Sequence, residues 1–329
     1  MSLLKKLVIS SLGVSSLLFL GRISGFVRET VIAKYFGASE YSDVIVLMLT
    51  TPDLLVNLLV GGALSMALIP ELSKYEQEKK VIIYRQLIII FMLLFGFLTV
   101  VLINFSPAVM HFLAPGVKES IVEKFNCSFN IVLSSIVLTV FSGLTTSYLN
   151  EKGKFLIPAS GTLIFNFVVI VFIIFSNNYI TYNVDKITII AFGIVVAALA
   201  RWLSQVTNSN ISPFGRGVFR ENVISRSFIN RYFYCLATGG VVFFVPVLMR
   251  GMSSYSGEGM FSVMNYSIKL VELPLGVVIT VFSIILFPKL SKFKCTDQEE
   301  KFDLFIFSHF RCCGDNINFD LYNVGFVIK

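Results

Sequence analysis

QLIIIFMLLFGFLTVVLINF, residues 86–105, is a run of twenty residues without a charge. At 1.5 Å per helical residue it reaches about 30 Å, the thickness of the hydrocarbon core of a bilayer. Similar runs read near 129–149, 155–176, 187–207, 232–249 and 261–287 on one side of it. On the other side lie 42–70, with Pro52 in its middle, and a first segment that begins after Lys5 and Lys6. That first segment starts like a signal peptide, but its helical character continues past Gly21 and no A-x-A-like site follows, so it is expected to remain as a span. Across all 329 residues 55% are hydrophobic and 14% charged, against roughly 25% charged in an average soluble domain. Such a chain lacks the polar surface to cover one body in water. The expected fold is all-α, a polytopic membrane helical bundle of about eight transmembrane helices.

Orientation follows from the connections. With the N-terminus inside, sixteen Lys and Arg fall on the cytoplasmic side, among them Lys74, Lys79, Lys80, Lys152, Lys154, Arg216 and Arg220, and five fall outside: Lys34, Lys118, Lys124, Lys186 and Arg250. Basic residues hold loops in the cytoplasm, so both termini are expected there. The longest connection carries VFRENVISRSFINRYF, a basic amphipathic stretch suited to the lipid interface. The organisation expected is a lobe of six helices over 1–207, a cytoplasmic amphipathic linker over 208–231, two helices of a second lobe over 232–294, and a divergent cytoplasmic tail over 295–329.

A charge at the centre of a membrane helix costs about 2.5–3.5 kcal/mol on insertion scales, so such residues face a cavity or a partner. Arg22 and Arg28 lie in the first span, Asp43 opens the second, and Lys269 and Glu272 lie in the eighth. Arg22 is deep enough to favour a cavity; Arg28 either joins it or reaches the outer interface. The two arginines diverge by about 120° on a straight helix and converge only if it bends, for which Gly25 is the candidate. Gly21 and Gly25 form a G-x-x-x-G pattern, read either as close helix packing or as that bend. Lys269 and Glu272 are spaced i, i+3, so they either satisfy each other or serve a ligand. Pro274 and Pro52 would loosen their helices, as broken helices near transporter sites do. Cations at bilayer depth suit an anionic lipid headgroup, and a diphosphate offers arginine the oxygens its donor fork matches.

Other chemistries find little support. No nucleotide-binding loop, H-E-x-x-H or G-x-S-x-G motif occurs, and the chain is not expected to be an enzyme. The cysteines (Cys127, Cys235, Cys295, Cys312, Cys313) lack C-x-x-C spacing, and His111 and His309 stand far apart, so neither a metal nor a cofactor is expected. The net charge of +7 shows no basic block interleaved with aromatics, so no nucleic-acid partner is expected.

The stretches GRISGFVRETVIAKYFGASEYSDVIVLMLTTPDLL and GGALSMALIPELSKY, followed by YSIKLVELPLGVVITVFSIILFPKLSK, resemble the MurJ/MviN family of lipid II flippases over about residues 1–294. The resemblance implies a MOP-type exporter of the bacterial inner membrane, with two lobes around a cationic cavity working by alternating access. It implies transfer of undecaprenyl-diphosphate-linked peptidoglycan precursor from the cytoplasmic to the periplasmic leaflet, with membrane lipids and the peptidoglycan synthesis machinery as partners. It places Arg22, Arg28 and Lys269 as substrate-binding residues, and Asp43 and Glu272 as cavity and gating positions, to which the bend and break positions Gly21, Gly25 and Pro52 are added from their own chemistry. Lys269 stands where the family has an arginine. Val56, Asn57 and Gly61 depart from the family's second-helix pattern, which leaves fewer cations and keeps open another polyprenyl-linked sugar, as in exopolysaccharide or O-antigen export. The family has fourteen spans, so a chain truncated after the eighth helix, and a non-transporting fragment, are further expectations.

Overall fold

The computed structural model describes residues 3–59, 61–209 and 226–276, and among these it is helical without a strand. The chain clusters into two compact units, residues 1–12 with 278–329, and residues 13–277; the first is described only as the start of α1. The helices are α1 (Leu3–Phe36), α2 (Glu40–Leu59), α3 (Gly61–Leu72), α4 (Gln77–Asn104), α5 (Ser106–Leu113), α6 (Glu119–Leu133), α7 (Ser135–Glu151), α8 (Leu156–Tyr179), α9 (Asn183–Ser209) and α10 (Arg226–Ser253). A further helix, α11, runs over 260–276. Among the described residues four helical segments are long and apolar enough to cross a membrane: α4, α6 with α7, α8 and α9.

Packing and exposure follow from the apolar periodicity. On α4 the buried side is Tyr84, Leu87, Ile88, Phe91 and Phe95, while Leu93, Leu94, Phe97 and Val100 stand exposed. On α8 Phe167, Val171 and Phe175 do the same. Large apolar side chains exposed in helical register form a face for acyl chains rather than for water. α9 packs against α6, α7 and α8, and α2 against α6, α7, α9 and α10. Hydroxyl and amide pairs tie the helices where hydrocarbon offers no partner: Tyr84 to Thr145 at 2.8 Å, Ser128 to Thr188 at 2.9 Å, and Gln205 to Ser142 at 3.0 Å and Thr146 at 3.2 Å.

The connections gather at two ends. At one, Lys80 pairs with Glu151 at 2.7 Å and Lys154 donates to the Asn208 carbonyl at 2.9 Å. At the other, turns 37–39, 114–118 and 254–259 meet. Lys80, Lys152 and Lys154 thus fall at one end and Lys118 at the other, as the basic-residue count divides them.

Several boundaries differ from expectation. The second segment runs unbroken through Pro52 to Leu59, and from Gly61 it is again helical; residue 60 between them lies outside the described residues. The span expected from 129 begins at Glu119 and is preceded by α5, a short helix with Pro107 in its first turn. Too short at eight residues to register as a span, α5 is set by that proline, whose fixed φ suits a helix start. α10 reaches Ser253, so Arg250 is a buried helical residue and not part of an outer loop. Residues 210–225 of the linker, the end of the eighth segment and the tail lie outside the described residues, as do the side chains of Val56, Asn57 and Gly61.

Candidate functional site

α1 presents two adjacent faces. Gly21 and Gly25 rest on α8: a methyl on Gly21 would lie 3.5 Å from Thr162, and one on Gly25 3.5 Å from Asn166. The pattern therefore serves close helix approach, and the helix continues through Gly25. One turn further, Arg28 is 8% exposed and turned inward, not toward the outer interface. Its Nη1 donates to Asn166 Oδ1 at 2.9 Å and its Nη2 to Glu29 Oε1 at 2.7 Å. Asn166 in turn donates to Ser24 Oγ at 2.9 Å and to the Gly21 carbonyl at 3.3 Å.

The second face of α1 meets α11. Asn265 Nδ2 donates to Glu29 Oε2 at 3.0 Å. Two turns back along α1, Arg22 lies across Gly276, where an added methyl would fall 2.0 Å from its Nη1. The α11 positions involved, Asn265, Lys269, Glu272 and Gly276, are spaced i, i+4, i+7, i+11 and so share one face. Between its ends Lys269 and Glu272 bond each other at 2.6 Å, with side chains 31% and 49% exposed. The structure thus brings Arg22 and Lys269 to one face of α11, about 10 Å apart along its axis. Arg28 is not brought to them; it belongs to the buried Glu29–Asn166 cluster. Arg22 is exposed and carries no hydrogen bond or ion pair among the described residues.

Asp43 does something different. One of its oxygens accepts from the Gly259 N–H at 2.8 Å and the other from the Ser262 N–H at 2.7 Å, so the side chain caps the start of α11 from α2. N-terminal N–H groups have no intrahelical acceptor, and a carboxylate fills that need. Ser42 and Ser262 hydroxyls meet beside it at 2.8 Å. Gly259, at φ +80°, approaches Ala38 so closely that a methyl there would fall 2.4 Å from the Ala38 carbonyl carbon. A neighbouring tie joins 114–118 to 254–258: the Gly116 N–H donates to Ser254 Oγ at 2.8 Å, and Lys118 pairs with Glu258. The hydrogen bond and charge of Glu258 push the Lys118 ammonium above its ordinary range. A cavity of about 190 Å³ beside these ties is lined by Glu40, Asp43, Lys118, Tyr255 and Glu258.

Sequence reasoning missed Glu29, Asn166, Asn265, Arg201 and Arg250 as members of polar clusters. Glu29 stood beside Arg28, and Asn265 stood one turn before Lys269, so the spacing on α11 was a readable signal. Arg250, 9% exposed, has its Nε buried without a partner and lies within electrostatic reach of Glu272, Glu29 and Asp53. No group of three or more His, Cys, Asp or Glu able to hold a metal occurs among the described residues.

A family model described as lipid II flippase MurJ matches residues 32–311. A probable lipid II flippase MurJ of Buchnera aphidicola is 29% identical over 305 residues, covering 89% of this chain and 57% of that protein. The lipid II flippase MurJ of Burkholderia cenocepacia is 25% identical over 300 residues, covering 85% and 56%. A solved lipid II flippase MurJ in an inward closed conformation superposes with a TM-score of 0.68 at 22% identity, over 80% of this chain and 55% of that one. The chain spans a little over half the length of these relatives.

Proposed function

We propose, from the premise that this chain belongs to the lipid II flippase MurJ family, that it takes part in moving a polyprenyl-diphosphate-linked saccharide between the leaflets of the bacterial inner membrane. The first substrate to test is the peptidoglycan precursor lipid II. The protein is a multi-pass membrane protein, and its role is passage, without bond making or breaking. The carrying observation is Arg22, a guanidinium unpaired among the described residues and laid over Gly276 on the face of α11 that also bears Lys269. A diphosphate with two negative charges would find there the donors that bare hydrocarbon lacks.

The outer ties support a passage that opens to one side at a time. In such a passage Asp43 capping α11 and Gly259 against Ala38 would hold the outer end closed. Release outward requires the turns at that end to part. The Lys269–Glu272 pair holds the ammonium in place until a phosphate competes for it. Lys269 offers a point charge instead of a planar fork, so we assign the tighter grip to Arg22.

Expression of this chain in cells depleted of their own exporter tests the reading. Rescue that Arg22→Ala abolishes, with insertion unchanged, is the expected result. Rescue that survives Arg22→Ala removes Arg22 from the path. Stable insertion without rescue shows that this length of chain does not carry the lipid alone.

A further inference from the structure

We propose that Arg201 on α9 is a second ligand for the diphosphate, acting at the same depth as Arg22; this rests on the carrier reading above. The height is fixed by two adjacent residues of α8. Thr162 faces Gly21 on α1, next to Arg22, while Gly161 faces α9, where a methyl would fall 3.2 Å from Arg201 Cγ and 3.3 Å from its Nε. Arg22 and Arg201 therefore leave α1 and α9 at about the same level of the bundle.

Arg201 sits eight residues from the end of α9 at Ser209, about 12 Å along the axis. A basic side chain at that depth ordinarily runs out to the headgroups. This one lies against Gly161 and Gln205 and within electrostatic reach of Asp53 on α2. Its Nε is buried with no partner, and neither a hydrogen bond nor an ion pair to Arg201 occurs among the described residues. Gln205 is not available to it, being held by Ser142 and Thr146. An inward arginine with unused donors, at bilayer depth, is costly unless something anionic visits it. Gly161 leaves the clearance that lets its stem lie flat on α8.

The consequence is a tier of two arginines on α1 and α9, with Lys269 about 10 Å further toward the outer end.

The test uses the full chain in lipid nanodiscs and equilibrium dialysis of labelled geranylgeranyl diphosphate, geranylgeranyl monophosphate and geranylgeraniol. Arg201→Gln is expected to weaken diphosphate binding about tenfold or more, the value of a charged hydrogen bond, and to leave the alcohol unchanged. Arg201→Lys, which keeps the charge without the fork, is expected to fall between the two; should the Gln variant not fold, that value decides. Diphosphate binding equal to wild type in the variant that folds overturns the assignment, and with Arg22→Ala still impaired the carrier reading stands. Alcohol binding that falls in step with diphosphate shows Arg201 acting through packing, which also overturns it. A wild-type chain that does not prefer the diphosphate to the alcohol removes the carrier reading, and this assignment with it.

Discussion

Asn166 shows how a neutral residue can decide where charges go. Both ends of its amide are used: the oxygen by Arg28, the nitrogen by Ser24 and the Gly21 carbonyl. Leucine at this position would keep the volume and strand the Arg28 donor in a site where it is 8% exposed. We expect Asn166→Leu to cost about 1–3 kcal/mol, read as a lowered midpoint of thermal unfolding in detergent. Glu29→Gln should cost more, because it leaves the buried Arg28 cation without its counter-charge, and one-sided removal from a buried pair costs about 3–5 kcal/mol. Equal midpoints for the two variants would show that the Arg28–Glu29 charge adds nothing beyond its hydrogen bonds. Arg22 lies outside this cluster, so its removal should leave the midpoint close to wild type while abolishing rescue.

At the scale of elements, the start of α11 is held from another helix. Ser42 and Ser262 hydroxyls are 2.8 Å apart, so a Ser42→Cys, Ser262→Cys chain should cross-link readily under mild oxidant. Asp43→Ala in that background removes the cap, worth about 0.5–2 kcal/mol, and should slow cross-linking several-fold. An unchanged rate would mean that the cap does not hold the outer end closed. The Lys118–Glu258 tie adds a charge term. With the lysine raised above its ordinary value, its contribution is complete below that value and is lost only as pH climbs through the raised one. The lysine side of the tie therefore stays charged between about pH 6 and 9. Salt is the effective lever: raising it from about 0.1 M to about 1 M should slow cross-linking, because exposed pairs are screened. At the opposite end, Lys152 is held below its ordinary value, first by burial and then by the nearby Lys154.

For the molecule as a whole, length and apolar runs made the membrane bundle legible, because a bilayer imposes one simple requirement on a helix. The alternating sides of the connections were legible from Lys and Arg for the same reason. What escaped was pairing across distance. Nothing near Asn166 in the chain announces that it meets Arg28, 138 positions away, and Asp43 showed its depth but not its task of capping α11. The placement of Arg22 beside Lys269 needed the antiparallel course of α1 and α11, which no single segment encodes. Arg250 reads as a loop cation because the apolar run ends at 249, while the helix continues four residues further to Ser253, and one turn separates a loop cation from a buried one. Gly259 carries a consequence of its own. Since Ala38 leaves no room for a methyl there, even alanine would work as a wedge, prising the 254–259 turn off the 37–39 turn and loosening the start of α11 from α2.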